Sequence, residues 1–142
     1  MLTIGSQGKS GKSLSSRFIL IGPQNDAIML GNPVTLGCEA DTIDARVVWT
    51  EYMTNVNGAQ ITDGPNIAPG HPNRDHYQVV QPTPTTFDLF ISGTLPADGG
   101  RYECADIYTA GDRNYAELVL LGRFRYLPSV FRLVLRRARP LG

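Results

Sequence analysis

Alternating apolar and polar residues mark most of the chain from Phe18 to Leu121. In Val34–Cys38 every second residue is apolar or a cysteine, and a period of two is typical of a strand with one buried face. The residues of Arg46–Met53 fit the same period. No segment before Gly122 shows the period of about 3.6 residues that an amphipathic helix requires. The pattern therefore predicts an all-β fold.

Turn-forming residues divide this region into about nine short strands, a number and spacing typical of a β-sandwich or a β-barrel. Asn57-Gly58 predicts a tight hairpin. The segment Asp63–Asn73 contains three prolines and two glycines, which predict a loop that crosses the surface. The predicted strands are Phe18–Ile21, Ala27–Leu30, Val34–Cys38, Arg46–Met53, Ala59–Thr62, Tyr77–Val80, Thr86–Ser92, Arg101–Tyr108 and Tyr115–Leu121.

Composition and charge divide the chain into three parts. Residues 1–16 are rich in glycine, serine and lysine and predict a flexible leader. Residues 17–122 form the patterned domain. The first 122 residues hold all 13 acids and seven of the 13 basic residues, so their net charge is −6. Residues 123–142 hold six arginines and no acid, so this tail carries +6 and is chemically distinct from the domain.

The basic tail alternates aromatic and basic residues, and several interpretations remain open. It fits a stalk, a juxtamembrane segment or an unstructured chain end. Val130–Arg137 also fits a short basic amphipathic helix, which would favour a membrane surface or nucleic acid. We do not expect nucleic acid as a partner. We expect membrane attachment only through an anchor outside this chain, because no run approaches about 18 apolar residues and the first 22 residues lack the pattern of a secretory signal.

Motifs for catalysis, nucleotides and metals are weak. Around Gly11-Lys12-Ser13 the spacing to the first glycine is one residue too long for a phosphate loop, and no buried strand precedes it. His71 and His76 lie in or beside a Pro/Gly-rich loop without the spacing of paired zinc ligands, so we expect both to be exposed. No serine occupies a Gly-x-Ser-x-Gly elbow. We therefore expect no enzyme activity, no cofactor and no metal.

Three residues and one motif distinguish this chain from other all-β proteins. Trp49 follows Cys38 by 11 residues, and Cys104 follows Cys38 by 66. The second cysteine ends the run Asp98-Gly99-Gly100-Arg101-Tyr102-Glu103-Cys104. In this order and spacing the chain resembles the immunoglobulin superfamily over roughly residues 17–122.

The resemblance implies an immunoglobulin-like Greek-key β-sandwich of V type, with about nine strands, two sheets and one inter-sheet disulfide between Cys38 and Cys104. Two cysteines permit one internal bridge, and a bridge favours an oxidising compartment. Trp49 is then expected against the sulfurs, Tyr102 at a corner where its hydroxyl bonds to backbone, and Gly100 in a tight turn. Leu89 and Ile91 belong to the core strand, and Asp98 pairs with a basic residue, for which Arg74 is the candidate.

The V-type assignment depends on the segment between the cysteines. It leaves room for the extra strands C′ and C″, and Asn57–Thr62 supplies a C′ candidate. The chain looks similar to single-V-domain proteins of invertebrates and to antigen-receptor-like domains. It lacks the Phe-Gly-x-Gly of receptor joining segments, because its last strand contains Asn114-Tyr115-Ala116-Glu117-Leu118-Val119. This difference argues against a rearranging antibody or T-cell receptor chain.

Strand alternation predicts an outward face on two neighbouring strands. If Trp49 and Cys104 point into the core, their alternate neighbours point outward. These neighbours are Val48, Thr50, Tyr52, Glu103, Ala105 and Ile107. In V-set domains this is the face where two domains associate, and its apolar members could form an exposed patch that binds a protein. Scattered surface apolar residues are the alternative interpretation.

Loops at one end of the domain form a second candidate surface. Glu39–Ala45, Gly58–Pro65 and Thr109–Asn114 correspond to the three variable loops of the family. Their acidic residues favour a basic or polyhydroxylated ligand, or else ordinary solvation. The candidate ligand residues are Asp41, Asp44, Asp63, Thr109, Gly111, Asp112 and Arg113.

Together these features predict an extracellular or cell-surface recognition or adhesion domain, receptor-like, that self-associates through its outward strand face. The expected partner is a protein, either a second copy or another immunoglobulin domain. The alternative is an intracellular structural immunoglobulin domain of the muscle-scaffold kind, in which the cysteines stay reduced.

Overall fold

The computed structural model describes residues 18–72, 74–109 and 111–122. The predicted leader 1–16, residue 17 at the predicted start of the domain, and the tail 123–142 with its predicted helix lie outside the described residues. Within them the strands, in chain order, are β1 (Ile19–Ile21), β2 (Asp26–Met29), β3 (Val34–Leu36), β4 (Glu39–Ala40), β5 (Val47–Glu51), β6 (Ala59–Gln60), β7 (Thr62–Asp63), β8 (Asn66–Ile67), β9 (Tyr77–Val80), β10 (Asp88–Ile91), β11 (Gly100–Asp106) and β12 (Arg113–Leu121). Two short 3-10 helices, Arg74–His76 and Pro96–Asp98, lie between strands.

Two layers of strands enclose the core, as the resemblance implied. One layer is a five-stranded sheet in the order β2-β12-β11-β5-β6, antiparallel except that β2 runs parallel to β12. The other layer contains β3-β10-β9. The β1-β4 ladder extends this second layer, because Glu39 of β4 bridges Thr86 and the amide of Phe87 donates to Cys38 O at 2.8 Å. The fold is therefore a two-sheet immunoglobulin-like sandwich.

The predicted surface loop Asp63–Asn73 contains more structure than its prolines and glycines indicated. Its first residues form a hairpin in which β7 pairs with β8, and Gly64 makes the turn at a φ of 62° that favours glycine. The amide of Ala68 donates to Ile61 O at 2.7 Å and holds the hairpin back on the preceding segment. The expectation of an irregular loop is wrong for β7 and β8, because these backbone bonds outweigh weak strand propensity.

The disulfide between Cys38 and Cys104 joins the two layers at the centre of the core. Trp49, the cross-strand neighbour of Cys104, is fully buried, and its Nε1 donates to Phe87 O in the opposite layer at 2.7 Å. Leu89 and Ile91 are fully buried from the other side. A covalent bond and an indole hydrogen bond therefore fix the same pair of strands against each other.

A tyrosine corner closes the end of the core at which β11 begins. Tyr102 is fully buried, and its hydroxyl donates to Asp98 O at 2.7 Å. Gly100, between them, starts β11 at a φ of 147°, a conformation that other residues rarely adopt. Burial raises the pKa of the Tyr102 phenol well above its usual value.

The basic partner of Asp98 is His76 and not Arg74. Asp98 Oδ2 lies 2.7 Å from His76 Nε2 and also accepts the amide of Leu95 at 2.6 Å. Arg74 begins the same 3-10 helix but is exposed, and it makes no ion pair within the described residues. His76 ends that helix beside the start of β9, which brings its ring nearer to Asp98.

The expectation that both histidines are exposed is also wrong. His71 is 5% exposed, its Nε2 lies 3.6 Å from Glu51 Oε2, and its ring meets Tyr77 edge to face. His76 meets the same Tyr77 ring in a second edge contact. The loop that carries these histidines folds back onto the core, which its composition did not reveal.

Replacing Cys38 and Cys104 together with alanine should lower the free energy of unfolding by about 4 kcal/mol, because the bridge closes a long loop in the unfolded chain. Urea denaturation of the wild type and the double variant measures the difference. As a control, a reductant should destabilise the wild type and leave the double variant unchanged. Equal denaturation curves would show that the bridge contributes no stability.

Asp98→Ala should lower the free energy of unfolding by about 1–3 kcal/mol, because the Leu95 amide and the His76 ring both lose their acceptor. Thermal melting followed by circular dichroism measures the change. Arg74→Ala is the matched control and should melt like the wild type. If Arg74→Ala were the more damaging substitution, the His76 assignment would be refuted.

Candidate functional site

The outer face of the five-stranded sheet is the candidate site. We define it as the side of β12, β11 and β5 that points away from the core. Because Cys104 pairs with Trp49 and both are buried, Glu103 and its cross-strand neighbours Thr50 and Tyr115 project to the outer face. The same alternation adds further residues from all three strands. They are Val48 and Tyr52 beside Thr50, Arg101 and Ala105 beside Glu103, and Arg113 and Glu117 beside Tyr115; Tyr52 is the residue just after β5.

Glu103 is the organising residue of the outer face. It points away from the core yet is only 3% exposed, because two side chains cover its carboxylate. Tyr52 Oη donates to Glu103 Oε1 at 3.0 Å, and Arg113 Nε donates to Glu103 Oε2. Arg113 Nη2 lies 3.3 Å from Tyr52 Oη and closes the triangle. A desolvated carboxylate is costly unless it is paired, and here both oxygens are paired.

The surroundings of the network shift the pKa values of Tyr52 and Arg113. Burial raises the pKa of the Tyr52 phenol, and the hydrogen bond to Glu103 raises it further. The same carboxylate raises the pKa of the Arg113 guanidinium. Both shifts favour the protonated forms, so Tyr52 is a neutral phenol and Arg113 a cation at neutral pH.

Arg101 contacts two tyrosine rings. Its guanidinium carbon is 5.0 Å from the centroid of the Tyr115 ring and 5.7 Å from that of the Tyr52 ring. The two rings are 6.2 Å apart. A cation over aromatic faces is attracted by the ring quadrupoles, and at an exposed site the attraction is worth about 0.5–1 kcal/mol. Arg101 is thus oriented, while its side chain stays exposed.

The structure changes the predicted apolar patch. Val48, Thr50 and Ala105 do lie on the outer face but are only half-buried neighbours of a charged and aromatic centre. Ile107, 48% exposed, lies just beyond the end of β11, where its amide donates to Arg46 O. The surface is therefore built from tyrosine, arginine and glutamate. Arg101 and Tyr115 were missed, although the same two-residue alternation could have identified them.

Gly58 lets the β5-β6 hairpin approach the outer face closely. It adopts a φ of 96°, and a Cβ placed there would lie 2.7 Å from Thr50 Cγ2 and 2.9 Å from Tyr52 Cε1. Any side chain at this turn would displace Tyr52. The Asn57-Gly58 signal in the sequence thus has a second role, which is to support the aromatic side of the site.

Several acids of the predicted ligand loops already bind other groups of the chain. Asp41 Oδ1 accepts the amide of Phe18 at 3.1 Å, and Asp112 Oδ2 accepts the amide of Ile19 at 2.6 Å. Asp63 forms a bidentate ion pair with Arg46, and the hydrogen bonds from Arg46 lower the pKa of the Asp63 carboxyl. These carboxylates hold the ends of strands together.

The remaining loop residues have varied surroundings. Arg113 belongs to the Glu103 network, Thr109 donates its amide to Asp106 O, and Gly111 turns at a φ of 86°. Asp44 is exposed, and its amide donates to Thr42 Oγ1 at 3.3 Å. The loops therefore do not bring the predicted acids together as a ligand site.

Within the described residues, no group of three or more histidine, cysteine, aspartate or glutamate side chains is arranged to hold a metal ion. The described part of the chain also contains no helix long and apolar enough to span a membrane. One open surface cavity of about 430 Å³ is lined by Pro72, Arg74, Asp75, His76 and Leu95.

Comparison with solved structures identifies the fold. A chain from the crystal structure of Dpr1 IG1 bound to DIP-eta IG1 matches with a TM-score of 0.63 at 14% identity, over 77% of this chain and 99% of that chain. The RIG-5 IG1 homodimer matches with a TM-score of 0.60 at 15% identity, over 73% and 96%. A chimeric titin Z1Z2 tandem matches with 0.54 at 20% identity, over 73% and 49%.

Some of these structures are longer than this chain, which spans about half (51%) of the matched chain in the complex of Dpr11 IG1 with DIP-gamma. No protein-family model matches the sequence, and no curated protein matches it. At such identities the likeness shows the fold alone.

Glu103→Gln should lower the pKa of Tyr52 towards the ordinary value of about 10, because a neutral amide is a weaker acceptor than a carboxylate. In the wild type the raised pKa means that un-ionised Tyr52 stabilises the fold fully below about pH 10, and this contribution is lost as pH rises through the folded pKa. Tyrosine ring-carbon NMR, assigned with Tyr52→Phe, follows the titration. Glu117→Gln is the control, and equal Tyr52 titrations in both glutamine variants would contradict the network.

Proposed function

We propose that this immunoglobulin-type domain is an extracellular recognition domain that binds another immunoglobulin domain through its outer face. A second copy of the chain is the first partner to consider. The domain is V-type in this proposal, because β6 and the β7-β8 hairpin occupy the region between the cysteines where strands C′ and C″ occur.

One observation carries the proposal, which is the fixed cluster of Tyr52, Arg101 and Tyr115 on a rigid sheet. Tyrosine and arginine are enriched among the residues that contribute most to protein interfaces. Their side chains are oriented before any partner arrives, because Glu103 and Arg113 hold Tyr52 in place. Less side-chain entropy is then lost on binding.

The neighbours support the choice of partner. The solved structures with the same fold include Dpr and DIP immunoglobulin domains bound to each other and a RIG-5 homodimer. The binding partners in these structures are those of the Dpr, DIP and RIG-5 proteins. They support the proposal because the present chain has the same fold and an outer face rich in interface-forming residues.

The disulfide favours an oxidising compartment and hence an extracellular location. The alternative is the intracellular structural domain with reduced cysteines. The match to a titin tandem is the observation that favours this alternative. Titration of free thiols in the native protein separates the two. No reactive thiol favours the extracellular proposal, and two free thiols favour the alternative.

Ala105→Arg should abolish association, because it places a long charged side chain in the middle of the outer face. Sedimentation velocity over a concentration series measures self-association, and binding to immobilised immunoglobulin domains measures other pairings. Thr35→Arg is the matched control, since Thr35 is exposed on β3 in the opposite sheet. Both variants should melt like the wild type. Retained association of Ala105→Arg would refute the outer face as the binding surface.

A further inference from the structure

One edge of β3 has no neighbouring strand. β1 pairs with β4 only as far as Ile21, and the chain then crosses to the other layer, where β2 joins β12 from Asp26 onward. Among the described residues, no strand takes the place of β1 beside β3, whose one strand neighbour is β10. An open sheet edge presents amides and carbonyls to which an extended segment can bind.

The backbone groups of Thr35 and Gly37 point towards this open edge. The amide of Phe87 donates to Cys38 O at 2.8 Å, so Cys38 forms a hydrogen-bonded pair with the neighbouring strand, and Leu36 forms the next such pair with β10. In an antiparallel ladder the residues between such pairs direct their N–H and C=O groups to the other side. These residues are Thr35 and Gly37, and both are exposed.

Farther along the same edge, where β1 is still near, the corresponding backbone groups are paired. The amide of Asp41, which lies in the same phase as Gly37, donates to Phe18 O at 3.0 Å. The direction of the Thr35 and Gly37 groups is therefore the direction in which this sheet accepts a further strand.

A surface cavity of about 380 Å³ lies along the open edge. The crossing segment between Ile21 and Asp26 lines one side, and Thr35–Gly37 lines the other. Gly37 leaves room here, because a Cβ placed on it would have Asp88 Oδ1, at 3.8 Å, as its one contact within 4 Å. A glycine in a strand often marks a place where another backbone approaches closely.

The layer that carries this edge contains acids but no lysine or arginine. Residues 18–45 and 75–100 supply its five strands together with β2. Their acids are Asp26, Glu39, Asp41, Asp44, Asp75, Asp88 and Asp98. All 13 basic residues of the chain lie elsewhere, with three in residues 1–17, four in the remainder of the described domain and six in residues 123–142. A basic segment is therefore the occupant whose charge complements this edge.

We propose that Val130–Arg137 of the basic tail binds along the open edge of β3. This segment holds three arginines and no acid, and the whole tail carries +6. It contains no proline, so each of its residues has an amide that can donate to the edge. Its two valines and its phenylalanine are residues that favour extended backbone. The inference goes beyond the proposed function, because it concerns the layer opposite the outer face.

The end of β12 brings the tail within reach of the cavity. Leu121 pairs with Met29, and Asp26 at the other end of β2 lines the cavity, about 10 Å away along the strand. The residues from Gly122 to Ser129 can span up to about 26 Å when extended. Because the segment is tethered, its effective concentration is about millimolar, so contacts too weak for a free peptide suffice.

Hydrogen exchange of single amides, followed by NMR in the full-length chain, tests the proposal. The Thr35 and Gly37 amides should exchange slowly, at rates independent of protein concentration, because carbonyls of the tail accept them. A variant with Arg132→Glu, Arg136→Glu and Arg137→Glu should exchange both amides at least about tenfold faster, because the reversed charges repel the acidic layer. The Leu36 amide, paired with Leu89, should stay slow in every variant and reports an intact sheet.

A variant with Lys9→Glu, Lys12→Glu and Arg17→Glu is the matched control. It makes the same three reversals in residues 1–17, the other basic segment outside the described domain. The glycines and serines of that segment are disfavoured in strands, so its reversal should leave the Thr35 and Gly37 amides as slow as in the wild type.

Fast exchange of Thr35 and Gly37 in the wild type overturns the inference, because the edge is then open. Slow exchange that survives the tail reversals also overturns it, and loss in the control variant would make residues 1–17 the occupant. Slowing that increases with protein concentration makes a second copy the occupant and equally overturns the inference. None of these results bears on the proposed function, which the Ala105→Arg variant tests on the other layer.

Discussion

The bond between Cys38 and Cys104 determines which way the central strands face. It requires both residues to point into the space between the sheets, and Trp49 fills that space beside Cys104. Once these side chains point inward, the pleat sends Glu103, Arg101 and their cross-strand neighbours outward. A shift of one residue in the pairing of β5 with β11 would exchange the two faces, so the buried bridge also fixes the composition of the outer surface.

The outer face shows how a polar surface can be made rigid. Glu103 is covered by Tyr52 and Arg113, and the three groups satisfy one another. This arrangement places Tyr52 beside Tyr115, and the guanidinium of Arg101 contacts both rings. A buried carboxylate pointing towards solvent would be unfavourable alone. As part of the network it orients the aromatic and cationic groups with which proteins commonly contact one another.

The two ends of the domain use their charged groups differently from the outer face. At the loop end, Asp41 and Asp112 bind the amides of Phe18 and Ile19 and so hold the first strand in place. At the other end, Asp98 joins a 3-10 helix to His76. Carboxylates that bind backbone amides stabilise the fold and have less capacity left for a ligand. The outer face differs from the loops in presenting an exposed arginine, Arg101, that contacts two aromatic rings.

The sequence alone determined the fold, because a disulfide pair, one large core aromatic and a two-residue period leave few ways to bury the apolar side chains. Cys38, Trp49, Tyr102 and Cys104 stand in an order that predicted the sandwich and the inward faces. Only the tertiary structure decided the partners of the polar residues. His76, and not Arg74, reaches Asp98, and Arg101 turns to Tyr115 and not to Glu117. Such choices depend on distances of a few ångströms between segments far apart in the chain, and sequence spacing carries no information about them.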